Sequence, residues 1–326
     1  MNHHTRVGVI RGGPSNEYEV SLGSGAAVLD ALHKHHEDKY LAKDIFIDRQ
    51  GNWHVDGMQT TPVEAIHSVD IIFNALHGKY GEDGKVQSML EYHGKPFTGS
   101  GSLGSSIGMN KILAKKIFKD HGMKTPHFKE FKSDRIEKDV ETIATELFES
   151  FLMPAVVKPA SSGSSVGVTL VKYYNELPTA FLEAAKHDDT VIIEEYIPGI
   201  EATCAVIEGF RGQELYALPP IEIRPANKFF DYEAKYAGKS QELVPATFAD
   251  KFKLAIEDLA RKIHKALGLR HYSRSDFIIH PRRGIYVLEV NTLPGLTEGS
   301  LLPKALRAIG SDTHEFVEHL IKLGMR

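Results

Sequence analysis

The sequence predicts an α/β fold that passes into α+β, arranged as two or three domains, and three observations carry that reading. The opening third alternates short apolar runs with amphipathic ones, an order that favours a parallel sheet covered by helices. The middle holds a few strands and helices around one glycine- and serine-rich loop. Beyond residue 190 apolar strands alternate with long helical segments, and 326 residues exceed what one ordinary core needs. The expected divisions are 1–103, 104–193 and 194–326.

In chain order, 6–10 reads as a buried strand, 21–32 as a helix, 71–76 as a strand and 84–92 as a helix. Segments 44–48 and 53–55 flank a polar Arg49-Gln50-Gly51 turn and predict a hairpin. The Gly/Ser-rich stretch 98–106 reads as a boundary or hinge, and 110–119 as a helix. The middle predicts helices over 137–148 and 177–187, with strands over 155–158 and 167–171. The last part predicts strands over 191–195, 202–207, 276–279 and 285–290, and helices over 249–267 and 301–309. There is no internal repeat.

Apolar residues make up 42% and charged residues 25%, which excludes a disordered or fibrous chain. A net charge of -4 argues against sequence-independent binding to a nucleic-acid backbone. Cys204 is the single cysteine, so no intrachain disulfide can form and a reduced, cytoplasmic setting is expected. Its apolar surroundings over 202–207 mark it as a small core residue rather than a nucleophile. No stretch reaches the roughly 20 apolar residues that span a bilayer, and no signal-peptide core opens the chain, so no membrane partner is expected. His33, His35 and His36 follow a helix, where imidazoles complement its dipole, and no His-Glu-x-x-His pattern points to zinc.

Two constellations point to a metal-nucleotide site. On a strand, residues two apart share a face, so Arg274 pairs with Asp276 and Glu289 with Asn291. Three oxygen ligands with room for phosphate oxygens suit Mg²⁺. Alone, the pattern equally fits a charged, solvent-facing sheet. The second is Lys158-Pro-Ala-Ser-Ser-Gly-Ser-Ser-Val-Gly167, a lysine followed by a loop rich in N–H and hydroxyl donors that can wrap a polyphosphate. It lacks the Gly-Lys-Ser ending of a Walker loop, and alone it equally fits a surface turn. Phe229-Phe-Asp-Tyr-Glu-Ala-Lys-Tyr236 carries four aromatics within a proline-flanked stretch of about 20 residues, which reads as a functional loop or lid. Ser300 reads as the N-cap of the next helix, whose free N–H groups could hold a carboxylate.

In order along one chain, these motifs resemble the D-alanine:D-alanine ligases of the ATP-grasp superfamily. The resemblance spans nearly all of residues 5–325. It rests on Gly12-Gly-Pro-Ser-Asn-Glu-Tyr-Glu-Val-Ser21, Ala75-Leu-His-Gly-Lys-Tyr-Gly-Glu-Asp-Gly84, Phe97-Thr-Gly-Ser-Gly101, Met109-Asn-Lys111, the Lys158 loop, Glu233-Ala-Lys-Tyr236 and Asn291-Thr-Leu-Pro-Gly295. It implies a Rossmann-like N-terminal substrate domain followed by two ATP-grasp subdomains, the second with the metal site and the lid.

The resemblance further implies that Lys111, Lys158, Ser164, Ser165 and Lys235 hold ATP phosphates, and that Glu194, Glu195, Tyr196, Ile197 and Glu201 form the adenine and ribose site. Asp276, Glu289 and Asn291 are implied as ligands of two Mg²⁺ ions, for which Mn²⁺ can substitute. Glu19 would anchor the ammonium of the first D-alanine, with His77 near it, and Ser300 and the Leu301 N–H would take the carboxylate of the second. Arg274 and the Gly295 N–H would stabilise the oxyanion, while Tyr236 links to Ser164 and Glu19. The implied reaction makes D-alanyl-D-alanine for peptidoglycan precursors through an acylphosphate, in a homodimeric enzyme. Another D-amino or D-hydroxy acid ligase, or an ATP-binding module without turnover, are the alternatives.

Overall fold

The computed structural model describes residues 4–163, 166–225 and 240–326. Its first sheet has the order β4-β3-β2-β1-β5, built from β1 (Thr5–Gly12), β2 (Tyr40–Ile47), β3 (Trp53–Val55), β4 (Met58–Thr60) and β5 (Ile71–Asn74). Strand β1 runs parallel to both β2 and β5, and its central Val7–Ile10 run is apolar and buried because helices cover the sheet. Helix α1 (Tyr18–His35) crosses from β1 to β2, and α2 (Pro62–His67) leads into β5. A capping box between Thr61 and Glu64 starts α2. The hairpin after Asp44 forms, and β4 adds a third strand to it.

Helix α3 (Lys85–Tyr92) precedes α4 (Ser102–Met109). Here the Gly/Ser-rich stretch departs from expectation, since its second half is helical rather than a hinge. Close packing explains it: a β-carbon on Gly108 would lie 2.7 Å from the Thr292 methyl, so the small residues let α4 approach the strand that ends there. Asn110 then caps α5 (Lys111–Asp120) by accepting from the Ile112 and Leu113 N–H groups.

The second sheet has the order β6-β9-β7-β8, from β6 (Phe128–Lys132), β7 (Ala155–Pro159), β8 (Thr169–Val171) and β9 (Thr190–Glu195). Helices α6 (Ser133–Ser150) and α7 (Leu177–Ala185) cover one face through Ile136, Ile143, Leu147 and Phe181. The third sheet runs β13-β12-β10-β14-β15, with β11 (Leu215–Ala217) also paired to β10. Its strands are β10 (Ile200–Glu208), β12 (Ile221–Pro225), β13 (Ser240–Leu243), β14 (Tyr272–His280) and β15 (Gly284–Asn291). Helix α8 (Asp250–Ala266) packs on it through Ile256, Ala260 and Ile263. The stretch read as a lid begins and ends as β12 and β13, while its aromatic motif lies outside the described residues.

The chain closes with α9 (Leu301–Ala308) and α10 (Thr313–Gly324). Leu302, Leu306, Phe316 and Leu320 join Val9, Val28 and Phe73 in one apolar cluster, so the last helices bury the first sheet. Cys204 is buried, and its thiol is pushed far up in pKa by that burial. No helix among the described residues is long and apolar enough to cross a membrane.

A second joint links the first and third sheets through His271, a buried residue at φ 63. Its Nδ1 accepts the Gly99 N–H at 3.0 Å, so the ring must stay neutral there. Burial, followed by the neighbouring Arg270 charge, lowers its pKa from 6.5 to about 4. The unfolded chain therefore takes up a proton that the folded chain refuses. The stability this protects is full above pH 6.5 and declines as the pH falls towards 4. Urea unfolding at pH 7 and pH 5 should show wild type losing up to about 2 kcal/mol more than His271→Asn, which keeps an acceptor without the titration.

Candidate active site

Two cavities flank the edge of the third sheet. The larger, about 750 Å³, lies between the start of α1, the His77 loop and the 291–304 segment. The other, about 560 Å³, lies between the second and third sheets. They share Lys111, Ser162, Gly163, Arg274, Glu289 and Leu301. A ligand filling both would therefore cross a boundary lined by two cations and one acid.

Antiparallel pairing creates that boundary. Arg274 stands opposite Asn291 and Asp276 opposite Glu289, with a bulge between Asp276 and Phe277. The Arg274 guanidinium donates to both Asp276 oxygens, Nε at 3.1 Å and Nη2 at 3.0 Å. Thr203, opposite Asp276 on β10, donates to Asp276 Oδ1 at 2.6 Å and was not foreseen from sequence. Asn291 Oδ1 accepts the Leu293 N–H at 2.9 Å, which turns the chain into the next loop. Two carboxylates and an amide oxygen on adjoining strand positions make a hard-oxygen donor set, and a divalent cation fits that chemistry.

At the strand ends of the second sheet, Lys158 donates to Glu194 Oε1 at 2.6 Å. Lys111 approaches Glu289 at 3.4 Å and donates to the Ser162 carbonyl at 2.7 Å. Burial alone would lower Lys158, but Glu194 and Glu289 together outweigh it and the pKa is raised. Glu194, Glu195, Tyr196, Ile197 and Glu201 all line the smaller cavity. Glu195 also pairs with Arg283 at the rim. Ser164, Ser165, Lys235 and Tyr236 lie outside the described residues.

The larger cavity brings His77, Arg274, Gly295, Ser300 and Leu301 together. His77 Nε2 lies 2.7 Å from Ser24 Oγ, which accepts the Leu296 N–H at 3.1 Å. Glu82 Oε1 lies 3.7 Å from His77 Nδ1 and accepts the Gly78 N–H at 2.9 Å. Ser300 occupies the N-cap of α9, but its hydroxyl meets Thr297 Oγ1 at 2.7 Å instead of capping the helix. The first N–H groups of α9 thus have no side-chain cap. Gly295 has little room for anything larger, since a β-carbon there would sit 2.8 Å from Ser300 Oγ.

Glu19 lies at the rim, 76% exposed and 2.7 Å from Arg49. Glu17 sits deeper: β-carbons on Gly163 and Gly78 would lie 2.5 and 2.8 Å from its Oε2. Sequence reading passed over Glu17, Ser24, Glu82 and Thr203. Nothing in Glu17-Tyr-Glu19 distinguishes its two acids before the helix start is known. Lys115 was also passed over, although its interruption of the apolar stripe of Ile112, Ala114 and Phe118 was a signal that could have found it.

The family models for the D-ala D-ala ligase N-terminus and C-terminus match residues 6–65 with 57–100, and 117–322. The chain belongs to the D-alanine–D-alanine ligase family. It is 39% identical over 322 residues to the D-alanine–D-alanine ligase of Carboxydothermus hydrogenoformans, covering 98% of each chain. It superposes on the VanG D-Ala:D-Ser ligase of Enterococcus faecalis with TM-score 0.84 and 32% identity, covering 99% of this chain and 100% of that one. The D-alanine–D-alanine ligase of Bacillus anthracis, crystallised with ATP, gives TM-score 0.81 and 33% identity, over 99% and 98%. As expected from the motifs, the fold is that of these ligases.

Ser24→Ala should cost roughly 1–3 kcal/mol in urea unfolding, because the Leu296 N–H and a His77 nitrogen lose a buried partner.

Proposed function

We propose that the chain ligates two D-alanine molecules to D-alanyl-D-alanine, converting ATP to ADP and phosphate through an acylphosphate, for peptidoglycan precursors. The observation that carries this reading is the boundary of Lys111, Arg274 and Glu289 shared by the two cavities. ATP in the smaller cavity would direct its γ-phosphate there, and the acceptor carboxylate would meet it from the larger one.

The residues then take these roles. Glu194 to Ile197 and Glu201 receive the base and ribose, while Lys111 and Lys158 hold the phosphates, with Ser164, Ser165 and Lys235 assigned by family resemblance alone. Asp276, Glu289 and Asn291 would hold two Mg²⁺ ions, or Mn²⁺, whose charge offsets that of the moving phosphoryl group. The first carboxylate attacks the γ-phosphorus and ADP leaves. The second amine then attacks the acylphosphate carbonyl, phosphate leaves, and the nitrogen gives up a proton. Arg274 and the Gly295 N–H face the oxyanion of the tetrahedral intermediate. His77 orients the first substrate, and Ser300 with the Leu301 N–H receives the second carboxylate at an uncapped helix start. Tyr236 is assigned to the lid that keeps water from the acylphosphate. The division into domains at residues 103 and 193, a homodimer and a cytoplasmic setting belong to the same reading.

Glu17 fits the ammonium better than Glu19, the acid read from the sequence, since it is the deeper one, against the Gly163 and Gly78 backbone, whereas Glu19 is 76% exposed. Glu17→Gln should raise the KM of the first D-alanine about 10- to 100-fold, the worth of a charged hydrogen bond, whereas Glu19→Gln should stay within about 3-fold. The reverse order in steady-state kinetics returns the role to Glu19.

The product itself is tested by mass spectrometry with ATP, Mg²⁺ and D-alanine, L-alanine, D-lactate or D-serine. D-alanyl-D-alanine is the expected product. An ester with D-lactate and no dipeptide at neutral pH would overturn the reading, and a dipeptide formed only with D-serine would reassign the second substrate, the chemistry named for the VanG relative.

A further inference from the structure

We propose that Lys115 is a positioning residue for the nucleotide: it is the resident counter-ion of Glu194, and its charge lets Lys158 leave that carboxylate for the phosphates. The inference rests on the reading that Lys158 meets phosphate and Glu194 lines the base site.

Lys115 is 0% exposed and borders neither cavity. It projects from the apolar face of α5, beside Ile112, Ala114 and Phe118, where a lysine is costly to bury. Its ammonium meets two groups, Thr125 Oγ1 at 3.0 Å and Glu194 Oε2 at 3.0 Å. Glu194 in turn bridges two ammonium groups, with Lys158 on Oε1 at 2.6 Å. Lys115 therefore holds Oε2 as an ion pair while Lys158 holds Oε1.

Three cations, Lys111, Lys115 and Lys158, stand against two carboxylates, Glu194 and Glu289, so one cation exceeds what neutrality requires. Lys158 alone would balance Glu194, and a second ammonium brought close to Lys158 is repelled by it. The surplus is explained if one cation has other work. Lys158 lines the smaller cavity and Lys115 does not, so only Lys158 can turn to a polyphosphate. When it turns, Glu194 stays neutralised by Lys115. Without Lys115, the same movement would strand a buried carboxylate without its counter-charge, and Lys158 would remain on Glu194. Burial lowers the Lys115 pKa to about 8, and Glu194 is the group that opposes that shift.

The test measures ATP affinity by calorimetry alongside KM for ATP and for D-alanine in the full chain, using Lys115→Met, Lys158→Met, Glu194→Gln and the Lys115→Met/Glu194→Gln pair. Lys115→Met should weaken ATP about 10- to 100-fold and leave the D-alanine KM within about 2-fold. In the Glu194→Gln background, where no carboxylate competes for Lys158, adding Lys115→Met should change ATP affinity less than about 2-fold. That arm stands even if Lys115→Met alone does not fold. Unchanged ATP affinity in Lys115→Met, with a loss in Lys158→Met, would overturn the inference and leave the nucleotide site standing. An undiminished loss in the Glu194→Gln background would also overturn it. Unchanged ATP affinity in Lys158→Met would overturn the nucleotide-site reading and this inference with it.

Discussion

The register between β14 and β15 is the constraint on which the site depends. It sets Asp276 against Glu289 and Arg274 against Asn291, so one pair of strands supplies the guanidinium and the three oxygen donors. Because side chains alternate, a slip of one residue would turn one strand's pair to the opposite face. The bulge after Asp276 confines the irregularity to the point where the pairing has already done this, and Thr203 on β10 holds Asp276 from the other side. Backbone pairing on both flanks of β14 therefore fixes the acid before any ligand arrives.

The same strands would be of little use without the first sheet, and the packing explains how it is kept in place. Val9 and Phe73 share a core with Leu302, Leu306 and Phe316, so the segment carrying Gly295 and Ser300 is anchored at its far end in the first sheet. Ser24 adds a polar bond across the same junction by serving His77 and the Leu296 N–H together. The 295–300 loop is thus tied at one end by β15 and at the other by α9, which limits how the larger cavity can deform.

Much of this was legible in the sequence, for identifiable reasons. Arg274 with Asp276, and Glu289 with Asn291, stand two residues apart, and strand geometry puts each pair on one face without knowledge of partners. The parallel β1 and β5 were legible as continuous apolar runs. Strand β6, with its sequence Phe-Lys-Glu-Phe-Lys, carries charges on an edge and gave no such run. Helix α4 was obscured because Gly and Ser signal loops locally, while tertiary packing on Thr292 selects them for size. Glu17 and Ser24 were hidden for a different reason. Their roles come from contacts with residues 163, 77 and 296, which no local pattern encodes.

The charges at the two cavities follow one rule. Lys111 lies beside Glu289, Lys158 beside Glu194, and Arg274 beside Asp276, so each of these cavity-lining cations is matched to an acid, on a neighbouring strand for the lysines and on its own strand for Arg274. Unmatched cations in so buried a site would destabilise the fold, and unmatched acids would take up protons. Pairing removes both costs, but it also means that an anionic ligand must compete with carboxylates already in place. On the proposed reading, a ligand arriving with divalent cations would resolve this competition, because the cations would take the acids while the phosphates took the lysines. On that reading the pairs would suit a nucleotide delivered with metal better than a bare anion, which would have to displace the carboxylates unaided.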